Sequence, residues 1–287
     1  MMWFAYFLGG LTILLGGCLL LAIPLVRRHR LKNPRSPEEF DLPFENIRFS
    51  TTNHLVIKGW WIPSRNSERT IIMLHGYGGS MDPDLKYVPH LHTARFNVLM
   101  FDFRAHGRSG GRISTIGALE RKDVLGAVNY AVSRGSRRIG LLGFSMGGRA
   151  AILSAPLSPE VNALISDGGP ARLITAISRD LALRRIPLPV SKILAAMILI
   201  GASILSGTNL FRREPLYQAK LLINKPVFFI HGEKDPFITK NEIEKMVRDA
   251  GDKAELWSVP EAGHRNIDES RPDEYIHKVI GFFEKTL

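Results

Sequence analysis

Ser145 stands at the centre of Gly143-Phe144-Ser145-Met146-Gly147, between the apolar run Arg138–Leu142 and a segment, 148–153, that reads as a helix. Strand, sharp turn and helix is the context in which Gly-x-Ser-x-Gly presents a nucleophile. The turn forces its central residue into a strained backbone conformation, and flanking glycines remove the side chains that would crowd it. Serine is a weak nucleophile: it needs a base, and the base needs a third group to fix its tautomer. A carboxylate and a histidine are therefore required further along, in the order Ser, Asp, His. Ile230–Phe237 places Asp235 in the loop behind the apolar run 227–230, and Leu256–His264 places His264 in the loop behind another strand. Glu233 is a rival acid, but it follows its strand at once, which makes Asp235 the better candidate.

An acyl-transfer site also needs donors for the developing oxyanion. His75-Gly76-Tyr77-Gly78-Gly79-Ser80 follows the apolar run 70–74. There the backbone can approach a tetrahedral intermediate without side chains in the way, so the N–H groups of Tyr77 and Met146 are the expected oxyanion hole. The loop lacks the Gly-x-x-x-x-Gly-Lys spacing of a phosphate loop. His75 and His231 each precede a glycine at a strand end and are expected to make structural hydrogen bonds. His90 and His92 flank one leucine without further ligands, and His29 and His54 have no partner context. Divalent metal sites need three or four ligands, and the single cysteine, Cys18, excludes an intrachain disulfide framework and a cysteine-based zinc site. No metal or cofactor is expected.

The elements that would position these residues alternate. Glu45–Ser50 and Leu55–Ile62 read as a pair of opening strands. Thr70–Leu74, Val98–Phe101, Ile139–Leu142, Val161–Ile165 and Val227–Ile230 are continuous apolar runs, as expected of strands covered on both faces. Helical patterns such as Ile116–Ser133 lie between them. The fold class is α/β, a mostly parallel sheet with helices on both faces, which binds ligands at the carboxyl ends of its strands. Residues 170–224 break the alternation with two apolar, helix-like runs, Leu173–Leu183 and Ile193–Leu205, which read either as core helices or as a lid with an apolar inner surface.

Met1–Val26 carries no charged side chain and exceeds the roughly 20 residues needed to span a bilayer core. Trp3, Phe4, Tyr6 and Phe7 load one end with aromatics, and Arg27, Arg28, Arg30, Lys32 and Arg35 follow the other. A cleavable signal would carry its basic residues before the apolar run, as would a lipoprotein signal ending at Leu15-Gly16-Gly17-Cys18. The positive-inside rule then puts the rest of the chain in the cytoplasm. The expected organisation is an anchor with basic flank over 1–32, a linker over 33–44, and one α/β domain over 45–287 with an insertion over about 170–224. The formal net charge of +11 raises nucleic acid as a partner, yet no nucleic-acid-binding motif organises the basic residues. Anionic headgroups suit an anchored chain better.

His-Gly-x-Gly-Gly at 75–79, Asp102–Ser109, Gly-Phe-Ser-Met-Gly-Gly at 143–148, His-Gly-Glu-Lys-Asp at 231–235 and Ala-Gly-His at 262–264 together resemble the α/β-hydrolase superfamily. Within it the chain is most similar to single-pass, membrane-anchored serine hydrolases, some catalogued with serine aminopeptidases, and to eukaryotic α/β-hydrolase-domain proteins. The resemblance covers about residues 45–287. It implies catalytic roles for Ser145, Asp235 and His264, and a structural role for the 102–109 loop with its Asp102 and His106. Such a family includes esterases, thioesterases, lipases, amidases and peptidases, and fold does not select among them. Anchor, apolar insertion and basic surface favour a small acyl ester or thioester. A peptidase would be expected to carry acids near the pocket for a free amine, and 170–224 holds only Asp180 and Glu214. A membrane-anchored binding protein that kept the fold is the third reading, favoured by loss of a triad member.

Overall fold

Five strands run parallel at the centre of an eight-stranded sheet because their residues are apolar on both faces. In the computed structural model, which describes residues 2–27 and 35–287 and omits the side chains of residues 2–5 and 8, these are β3 (Arg69–Leu74), β4 (Asn97–Phe101), β5 (Arg138–Phe144), β6 (Val161–Asp167) and β7 (Val227–Gly232). β1 (Glu45–Ser50) and β2 (Val56–Ile62) join antiparallel at one edge, and β8 (Ala254–Val259) joins parallel at the other. The strand order is β1-β2-β4-β3-β5-β6-β7-β8. On edge strand β1 only Ile47 and Phe49 are buried, the alternation of a strand with one face in solvent.

Ten α-helices stand among the described residues: α1 (Met2–Val26), α2 (Val88–Thr93), α3 (Arg121–Ser133), α4 (Met146–Ser154), α5 (Leu173–Leu183), α6 (Leu188–Ser206), α7 (Pro215–Gln218), α8 (Lys240–Ala250), α9 (Ile267–Ser270) and α10 (Pro272–Thr286). Successive side chains of a strand point to opposite faces, so β3 sends Ile72 and Leu74 into one core with Ala127 of α3, Ile152 of α4 and Met246 of α8. It sends Ile71 and Met73 into a second core with Val88 of α2 and Phe283 of α10.

Two helices depart from the sequence pattern. The helix expected over Ile116–Ser133 begins only at Arg121. Ile116 and Gly117 take positive φ angles of 48° and 98°, and the buried Glu120 carboxylate accepts from the backbone N–H groups of Thr115 and Gly117 and from the hydroxyls of Ser114 and Thr115, all at 2.8–2.9 Å. Those bonds hold a turn where helical periodicity alone continues. α6 is longer than Ile193–Leu205, opening at Leu188 with Pro189 in its first turn, where the absent N–H costs nothing.

By length and composition alone the stretches Gly9–Val26 of α1 and Leu188–Ser206 of α6 could each cross a membrane, although Lys192 limits the uncharged part of α6 to Ile193–Ser206. They pack on one another. A Cβ at Gly201 would lie 2.0 Å from the carbonyl oxygen of Cys18 and 2.9 Å from Ala22 Cβ, so the backbones meet directly. Ala22, Val26, Leu199 and Ala202 enter the main core, whereas Leu14, Leu20, Ile193 and Ile204 are exposed. The side chains of Trp3 and Phe4, all of His29 and the flank residues Arg28, Arg30 and Lys32 lie outside the described residues. Of the segment read as a linker, Pro37–Phe40 forms a short 3-10 helix, and residues 33 and 34 lie outside the description.

Candidate active site

Between β5 and α4 the chain turns so tightly that Ser145 adopts φ 50° and ψ −111°. No other residue type could replace the glycines on either side: a Cβ at Gly147 would fall 1.8 Å from the Leu74 carbonyl oxygen, and one at Gly143 2.5 Å from the Gly147 backbone. The Ser145 N–H donates to the Asp167 carbonyl at 2.8 Å, which pins the turn to β6. Met146 is the first residue of α4, where backbone N–H groups have no acceptor within the helix.

Two loops at the same sheet edge complete the arrangement. Ser145 Oγ lies 3.0 Å from His264 Nε2, and His264 Nδ1 lies 2.7 Å from Asp235 Oδ2. A carboxylate only accepts, so the ring proton sits on Nδ1 and leaves Nε2 to take the serine proton. Asp235 is buried and its other oxygen accepts from the Phe237 N–H at 2.7 Å, while the Phe237 ring meets the imidazole edge-on at 4.8 Å. The rival acid is elsewhere: Glu233 accepts from Ser258 Oγ at 3.0 Å. The three residues singled out from the sequence are thus brought together, and Glu233 is not among them.

A family model for the α/β-hydrolase fold matches residues 69–194. The esterase Pf2001 of Pyrococcus furiosus superposes with a TM-score of 0.76 at 26% identity, over 91% of this chain and 98% of that one. The chain has the α/β-hydrolase fold. Similar sequences include the uncharacterized protein YfhR of Escherichia coli K12, 27% identical over 85% of this chain and 81% of YfhR. The uncharacterized protein YqkD of Bacillus subtilis is 29% identical over 66% of this chain and 63% of YqkD.

The glycine-rich loop behind β3 lies against the Ser145 turn. A Cβ at Gly76 would be 3.7 Å from Ser145 Cβ, and Tyr77 and Met146 are the residues that follow the two partners of this contact. The Tyr77 phenol points away and donates to the carbonyls of Leu25 at 2.7 Å and Pro24 at 3.3 Å in the last turn of α1. Burial pushes this hydroxyl's pKa up to about 12 against the pull of Arg27.

The other polar residues of these loops are structural. His75 donates from Nδ1 to the Gly76 carbonyl at 2.7 Å and accepts the Phe103 N–H on Nε2 at 2.9 Å. Burial lowers its pKa to about 3, so it stays neutral. Asp102 accepts from the N–H groups of Met81 at 2.9 Å and Arg108 at 2.7 Å. His106 donates from Nδ1 to the Arg104 carbonyl at 2.8 Å and accepts from the Gly78 N–H at 3.2 Å. The structural hydrogen bond expected of His231 is not made: the side chain is buried in β7 and its Nδ1 has no partner. Among the described residues no group of three or more His, Cys, Asp or Glu could hold a metal ion.

Behind His264 lies a cluster that sequence reasoning missed. Arg265 donates to Asp84 at 3.3 Å, stands 3.7 Å from Asp167 and lies 3.9 Å over the Phe144 ring. Asp167 also accepts from the Tyr275 hydroxyl at 2.8 Å. Burial opposes the charge of Arg265, but Asp84 and Asp167 outweigh it and raise its pKa. The cluster ties the histidine loop to the residue before Ser145 and to the end of β6. Its one visible signal was the adjacency of Arg265 to His264.

Proposed function

We propose that this hydrolase is a serine enzyme that cleaves a small acyl ester or thioester through an acyl-enzyme intermediate. The observation that carries the reading is His264 bridging Ser145 at 3.0 Å and Asp235 at 2.7 Å. Ser145 Oγ attacks the substrate carbonyl while its proton passes to His264 Nε2, and Asp235 stabilises the imidazolium that forms. The oxyanion accepts from the N–H groups of Tyr77 and Met146. Collapse breaks the bond to the alcohol or thiol, which leaves with the proton from His264. Water then gives a proton to the same nitrogen and attacks the acyl carbonyl, and as the carboxylic acid leaves, His264 returns that proton to Ser145 Oγ.

An ester class is supported by the likeness to Pf2001, which is named an esterase. The peptidase alternative finds less support. Acylaminoacyl peptidase of Pyrococcus horikoshii shares the fold at 18% identity, but the two acids of residues 170–224 are engaged. Glu214 holds the buried guanidinium of Arg149 at 2.6 Å, and Asp180 pairs with Arg184 on the surface at 3.0 Å. Neither is left to bind a substrate ammonium. With serine, histidine and acid all in reach, nothing favours a binding protein without chemistry.

On this reading α1 anchors the chain in a membrane, and the basic residues beginning at Arg27 keep the hydrolase domain on the cytoplasmic side. The insertion carrying α5 and α6 serves as the lid. An apolar lid buries acyl CH2 groups at about 0.8 kcal/mol each. Turnover of p-nitrophenyl esters by the full-length chain in detergent should therefore rise in kcat/KM with acyl length until the pocket fills. Faster turnover of aminoacyl amides than of any ester would replace this reading with the peptidase one.

A further inference from the structure

The outer surface of α6 carries Ile193, Ile200 and Ile204, all exposed. Spacings of seven and four place them on one stripe. The stripe borders the line along which α6 meets α1, where a Cβ at Gly17 would lie 3.8 Å from Met197 and Gly201 touches Cys18. Leu14, Leu20 and Ile23 of α1 are exposed as well, so the two helices present one joint apolar surface.

Cations follow both helices. Arg27 follows α1, and Arg212 and Arg213 follow α6 in a cleft that they share with Arg121 and Asn209. Burial and the nearby charge of Arg213 both lower the pKa of Arg121, the response of cations gathered without an anion. Among the described residues none of these four guanidiniums has a carboxylate partner: Arg149, not Arg213, takes Glu214. At the far end of α6 the exposed Lys192, Arg184 and Arg185 bound the apolar stripe, and such long side chains can carry their heads to a polar layer.

We infer that α1 and α6 enter an anionic bilayer together as one packed pair, with Arg27, Arg121, Arg212 and Arg213 forming a collar on the headgroups. The uncharged run Ile193–Ser206 rises about 21 Å at 1.5 Å per residue. That is short of a hydrocarbon core of about 30 Å, so α6 sinks beside α1 without crossing on its own. The collar supplies the charge complementarity that distinguishes a membrane of anionic lipid from a second copy of this basic chain. It also leaves Tyr77, bonded to the last turn of α1, at the polar boundary.

The test uses the full-length chain in nanodiscs, on a Cys18→Ser background, with one spin-labelled cysteine each at Leu14, Ile200, Ile204 or, as a control on α3, Val132. In discs containing phosphatidylglycerol, labels at Ile200 and Ile204 should match Leu14, accessible to oxygen and largely lost to a water-soluble nickel chelate, while Val132 stays open to nickel. Replacing phosphatidylglycerol with phosphatidylcholine should reduce the protection at Ile204. In an Arg121→Gln/Arg212→Gln/Arg213→Gln chain that dependence on lipid charge should vanish. Nickel-accessible Ile200 and Ile204 labels beside a protected Leu14 would overturn the inference, as would protection indifferent to lipid charge. Short-range coupling between α6 labels of two chains would overturn it in favour of a second copy. The readout involves no turnover, so its failure would leave the hydrolase reading standing.

Discussion

The phenol of Tyr77 donates to the carbonyl of Leu25 at 2.7 Å, joining the apolar N-terminal helix to the loop beside Ser145. The last carbonyls of a helix lack intrahelical donors. Those of α1 are met by the hydrolase domain itself, since the Ser114 N–H also donates to Val26 at 2.9 Å. A helix that only tethered the domain would need neither contact.

Tyr77→Phe keeps the ring and removes the bonds to Pro24 and Leu25. A net hydrogen bond contributes about 1 kcal/mol, so a less firmly held loop should lower kcat by about fivefold, with KM for a short ester little changed. Steady-state kinetics of the full-length variant in detergent check this. An unchanged kcat would mean that the loop does not depend on α1.

Asp235 and Glu233 lie two residues apart, and only the first faces His264. Asp235→Asn should lower kcat on the order of 10⁴-fold by leaving the ring in the wrong tautomer. Glu233→Gln removes an exposed contact with Ser258 and should stay within a few-fold of the parent, a contrast read from kcat of the two variants side by side.

Arg265→Met leaves Asp84 and Asp167 buried without their cation, at a cost of about 3–5 kcal/mol. Burial already raises the pKa of both acids, and loss of the guanidinium raises them further. A folded state that binds protons more tightly than the unfolded one gains stability as pH falls. The gap in melting temperature between parent and variant should therefore narrow from pH 8 to pH 5. A gap independent of pH would show that the two acids are not what Arg265 neutralises.

The strands and the Ser145 turn were legible because both are written locally, as unbroken apolar runs and as glycines on either side of one serine. Asp235 was legible because it follows such a run, and His264 because it follows the strand-like Leu256–Val259, each in a loop at the carboxyl edge. What stayed hidden depends on residues far apart in the chain. The Arg265 cluster draws on Asp84, Phe144, Asp167 and Tyr275, and no local pattern links them. Glu120 ends the helical periodicity early by capturing backbone donors, which an apolar count does not register. The pairing of α1 with α6 was hidden for another reason: an apolar helix reads the same whether lipid or protein covers it.

Capture of the nucleophile tests the central claim most directly. The full-length chain, treated with a fluorophosphonate and digested with trypsin, should carry one adduct, on Ser145 within the peptide Ile139–Arg149. The folded Ser145→Ala chain should take up no label and should lose on the order of 10⁶-fold in kcat. An adduct on another residue, or a folded Ser145→Ala chain that still turns over esters, would contradict the account.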